Sequence, residues 1–79
     1  MSEAPDETLS VWVVYDHPPD YPRHYVARRF IVNAAGQRLS TDFMYAVDIE
    51  AIRAVLRKRG LAMLARDPRD APKIVEVWI

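Results

Sequence analysis

Residues 15–31 read YDHPPDYPRHYVARRFI, and this stretch decides the architecture. Pro18, Pro19 and Pro22 each fix φ and lack a backbone donor, and they press His17, Pro18 and Tyr21 toward extended backbone, so no helix runs through them. Before them, Val11, Trp12, Val13, Val14 and Tyr15 are all β-branched or aromatic. After them, Tyr25, Val26, Ala27, Arg28, Arg29, Phe30, Ile31 and Val32 continue in the same vein. The pattern is two strands, over 9–15 and 25–33, joined by a stiff polar loop longer than a tight hairpin needs.

Alternation then assigns faces. Val11, Val13 and Tyr15 are expected toward the core, with Trp12 and Val14 on the other side. In the second strand one of Arg28 and Arg29 must share a face with apolar neighbours, where it either lies over them and pairs with an acid or offers its planar fork to an anion. Residues 34–37, with Gly36, make a turn, and RLSTDFMY over 38–45 gives a short third strand.

A helix follows over 49–59. Asp48 is its N-cap, Ile49, Ile52, Val55 and Leu56 recur at helical spacing, and Gly60 fits just past the end. Glu50 in the first turn and Arg57, Lys58 and Arg59 in the last complement the helix dipole. Residues 65–72 carry the prolines and aspartates of a loop, and 73–79 alternate as a final strand. Val75, Val77 and Ile79 are expected to face the helix, leaving Ile74, Glu76 and Trp78 on the outer side, alongside Trp12 if the first and last strands are neighbours.

Seventy-nine residues make one domain with a small core, and the absence of cysteine removes disulfides and thiolate metal sites as supports. Formal net charge is zero, but it is unevenly spread: residues 1–22 hold five acids and no Lys or Arg, whereas 23–59 hold eight bases and three acids. A balanced total disfavours a phosphate-binding protein, leaving the basic middle as the one feature of that kind. Residues 1–8 are polar and acidic, with neither the basic nor the apolar part of a secretory signal, and are expected to be a flexible leader to a domain over 9–79. No apolar run approaches a bilayer span, so the cytoplasm is the expected compartment.

Chemical motifs are sparse. Asp16, His17, Asp20 and His24 are the only cluster of metal-ligand types, but His17 and His24 are separated across three prolines without a helical pairing. The serines sit in no strained elbow, and two glycines cannot build a phosphate loop. An enzyme is not expected, and neither is a cofactor.

The block of Asp16, His17, Pro18, Pro19, Asp20, Tyr21 and Pro22, the strand Val26, Ala27, Arg28, Arg29 and Phe30, and the ending RDPRDAPKIVEVWI over 66–79 together resemble a group of short uncharacterised bacterial proteins. The resemblance covers about half the chain. It implies a bacterial source and two loops lying together, and it carries no activity or catalytic residue.

The expected fold is a two-layer α+β domain, a mostly antiparallel sheet of four or five strands with one helix on one face. The expected function is a binding or assembly module, as a homodimer or with a protein partner. It would act through an outer face bearing Trp12, Trp78 and one of Arg28 and Arg29, and through His17, Asp20 and Tyr21 of the loop. The alternatives are nucleic-acid binding through Arg28, Arg29, Arg53, Arg57, Lys58 and Arg59, and a metal-dependent activity at His17 and His24.

Overall fold

A computed structural model describes residues 8–64, 67, 69 and 71–79, so the expected leader, except for Thr8, and residues 65, 66, 68 and 70 of the last loop lie outside the described residues. The elements run β1 (Leu9–Asp16), β2 (Tyr25–Asn33), β3 (Gly36–Ala46), α1 (Ile49–Lys58), β4 (Met63–Leu64) and β5 (Ile74–Trp78). The strands form one sheet in the order β3-β2-β1-β5-β4, every pairing antiparallel, with α1 packed on one face. This is the expected small α+β architecture.

Local chemistry accounts for each boundary. Asp48 caps α1 in extended backbone, its carboxylate accepting from the Glu50 amide at 3.0 Å, and Gly60 leaves the helix at φ +83°, where a side chain is strained. Ile52 and Leu56 are buried and Ile49 partly so, while Val55 is exposed. The third strand starts two residues earlier than expected, at Gly36, and ends at Ala46; opposite Arg29 its register slips, Arg28 facing Phe43 and Phe30 facing Leu39. The short edge strand β4 forms in residues the sequence leaves unassigned.

The faces of the sheet are exchanged relative to expectation. Trp12 and Trp78 do face each other across β1 and β5, but they are only 4% and 2% exposed, packed with Val14, Ala27, Ile52 and Leu56 beneath α1. Val11, Val13 and Tyr15 line the opposite side, and Val77, opposite Val13, goes with them rather than toward the helix. The cause lies on β5. Glu76 is 3% exposed on the helix side, where Arg53 of α1 grips it from Nε at 3.1 and 3.2 Å and from Nη2 at 2.7 Å, and Trp78 Nε1 donates to it at 2.7 Å. Once that ion pair is inside, alternation carries Trp78 in with it.

Candidate functional site: the open sheet face and its loop

With its one helix on the other side, the sheet presents an open groove of about 220 Å³ lined by Val11, Val13, Tyr15, Phe30, Val32, Gln37 and Ile74. Ile74 reaches this side through a register shift in β5 opposite Val14 and Tyr15. The lining is apolar apart from Gln37 and the Tyr15 hydroxyl. Burial pushes the Tyr15 pKa up and the Arg28 charge pulls part of that back, so the phenol stays neutral at ordinary pH.

The proline-rich loop closes one end of this face. Pairing puts Tyr15, Val26 and Tyr45 in one row and Val13, Arg28 and Phe43 in the next. Tyr21 of the loop stacks on Tyr45, ring centroids 5.2 Å apart, and tilts against Phe43 at 5.9 Å, while His24 meets Tyr45 edge-on at 5.2 Å. Beneath these rings Val26 is fully buried, as is most of Pro18. Asp20 bonds to Arg28, whose guanidinium also lies 5.6 Å from the Phe43 ring centroid. Edge, stack and ion pair make a rigid wall beside the groove.

The loop is held at its base as well. The His17 amide donates to the His24 carbonyl at 3.0 Å, and the Asp16 amide to the Lys73 carbonyl at 2.7 Å, which sets the end of the second loop against the first. His17 departs from the extended backbone expected before Pro18, standing at φ +48°. Its ring contacts Asp16 Oδ1 and the edge of Tyr25, and Lys73 donates to its carbonyl, so surrounding bonds hold a conformation that is costly for a histidine.

The candidate residues therefore divide. Asp20, Tyr21 and Arg28 come together at the wall, and His17 lies at its base. Trp12 and Trp78, expected on the outer face, belong instead to the core beneath α1. Arg29 faces the helix side opposite Trp12, bonding Ser10 Oγ at 3.0 Å and Asp42 Oδ2 at 2.5 Å. The basic residues are split: Arg28 is on the open face, Arg53 is committed to Glu76 and Glu50, and Arg57 and Arg59 lie over the Trp78 and Trp12 rings on the same side of the sheet as Arg29. Asp16, His17, Asp20 and His24 are spread over separate contacts, and among the described residues no three such groups gather where a metal ion could be held.

Sequence reasoning missed Phe30, Val32, Phe43, Tyr45 and His24 as members of this surface. Phe43 and Tyr45 stand two apart in one strand and so share a face, a signal that was present once β3 was accepted. Among the described residues no helix is long and apolar enough to cross a membrane. No family model, curated protein or solved structure matches this chain.

Proposed function

We propose that the chain is a small binding or assembly module that acts through the open face of its sheet and the loop wall beside it. The observation that carries this reading is the apolar groove from Val11 to Ile74, which none of the described elements covers. Monomers seldom leave contiguous apolar surface of this kind bare, and here it lies beside rigid, partly exposed aromatic rings of the type enriched at interfaces. Phe43 and Tyr45 remain exposed on that wall. Binding rather than catalysis suits a groove whose described lining is uncharged and whose neighbouring Arg28 and Asp20 already satisfy each other.

The test compares Val13→Lys with Val14→Lys. On this reading Val13→Lys keeps the far-ultraviolet circular dichroism and cooperative melt of the parent, whereas Val14→Lys does not fold. The parent either binds a hydrophobic dye such as ANS, its face being free, or has a mass above that of one chain, its face being occupied; Val13→Lys loses whichever property the parent shows. A parent that is monomeric and also fails to bind dye refutes the reading, as does a Val13→Lys chain that cannot fold when dilute.

A further inference from the structure

We infer that the occupant of the open face is a second copy of this chain, the two sheets packing face to face about a two-fold axis that lies between them and across the strands; this rests on the open face being a binding surface.

Charge gives the first reason. Among the described residues, those lining the groove carry no charge, and Arg28 beside it pairs with Asp20 of the same chain. A surface without unbalanced charge can meet its own image with no like-charge repulsion, as an isologous contact requires. A partner selected by charge would find no unpaired charge among the described residues that line this groove.

Area gives the second. Four adjacent strands about 4.8 Å apart, averaging about eight residues at about 3.3 Å, make a face of roughly 500 Å² in plan. Two such faces in contact bury roughly 1,000 Å², the size at which specific interfaces begin. Sheets stacked this way sit about 10 Å apart with strands about 30° from parallel, a spacing that Val, Ile and Phe side chains fill.

Shape sets the axis. The loop stands up from the Val26 and Tyr45 end of the face, whereas among the described residues nothing stands over the end bearing Val32 and Gln37. Loop over loop would hold the two sheets apart. An axis across the strands instead brings the wall of each copy over the open end of the other, so that Tyr21 and its neighbours cover Phe30 and Val32 of the second copy.

The experiment exploits a chain with no cysteine. Light scattering over a wide dilution series should give twice the 9.1 kDa of one chain for the parent and a single mass for folded Val13→Lys. Arg23→Cys and Val32→Cys chains, refolded as a mixture and treated with a short bis-maleimide, should yield a cross-linked dimer that neither variant yields alone. Cross-linking of Arg23→Cys with itself overturns the proposed axis. A dimer that Val13→Lys leaves intact places the contact elsewhere and overturns the proposal. A monomeric parent that binds ANS also overturns it while leaving the binding face standing, and a monomeric parent that binds no dye removes both.

Discussion

Replacing Arg53 by Met should destabilise the domain by about 3 kcal/mol at neutral pH. Three of the four hydrogen bonds that reach the Glu76 carboxylate come from Arg53, and the fourth is the Trp78 indole at 2.7 Å. Breaking a buried ion pair from one side costs about 3–5 kcal/mol, because the remaining charge is stranded. The lower end applies, since the Arg53 side chain keeps 26% exposure and its Glu50 contact is at the surface. For a chain of this length that is a fall in Tm of roughly 12–24 °C.

The pH dependence sharpens the test. In the parent, burial by itself would raise the Glu76 pKa, but the hydrogen bonds from Arg53 and Trp78 and the charges of Arg53 and Arg57 outweigh it and hold the carboxyl below its ordinary value. A depressed carboxyl stabilises the fold above its unfolded-state pKa, and that contribution fades as pH falls through the folded value. Without Arg53 burial dominates and the pKa rises, so the variant is strongest in acid and weakens as pH climbs. Urea unfolding followed by circular dichroism should therefore show two stability curves that converge on acidification, with Arg53→Met/Glu76→Leu recovering most of the neutral-pH deficit. A deficit below about 1 kcal/mol, the scale of an exposed pair, or one that is equal in acid and at neutral pH, would refute the argument.

Both tryptophans should emit at short wavelength and resist acrylamide quenching in the native protein, because Trp12 and Trp78 are buried under α1; efficient quenching of either would mean the faces are assigned wrongly. Gly60→Ala should cost about 1 kcal/mol in chemical denaturation, since a Cβ there meets nothing within 4 Å and only the φ of +83° opposes it. Asp48→Ala should cost about 1 kcal/mol by the same assay through loss of the cap, and Asp48→Asn should recover most of it; a neutral Asp48→Ala would show the cap to be idle.

The path of the chain was legible because its signals are local. Three prolines in one loop, a capped and periodic helix ending at Gly60, and alternating strands each act within a few residues, and the structure follows them. The facing of Trp12 and Trp78 followed from taking the first and last strands as neighbours, which the sheet order bears out. Which face is buried is not a local property. Over residues 11–15 of β1 both alternating sets are apolar, so the middle of the strand is indifferent, and on β5 the polar residue gave the wrong sign. Glu76 looks like a solvent-facing position until Arg53, 23 residues earlier and on another element, supplies three hydrogen bonds. The loop wall was half legible: Asp20, Tyr21 and Arg28 were on the candidate surface, but their partners Phe43 and Tyr45 reach them only through the β2–β3 register.

The exchange of faces moves the open surface without closing it. A helix of ten residues is about 15 Å long, while the eleven residues of β3 extend about 36 Å, so α1 cannot span even one side of the sheet. Its limited cover is spent on the two indoles and the buried ion pair, where an indole N–H and a carboxylate must find partners. The valines, the isoleucine and Phe30 on the other side make no such polar demand. That division explains why the residues that hold the domain together and those offered outward differ in chemistry as well as in place. The tryptophans, the natural first guess for an interface, are the residues this fold can least spare from its core.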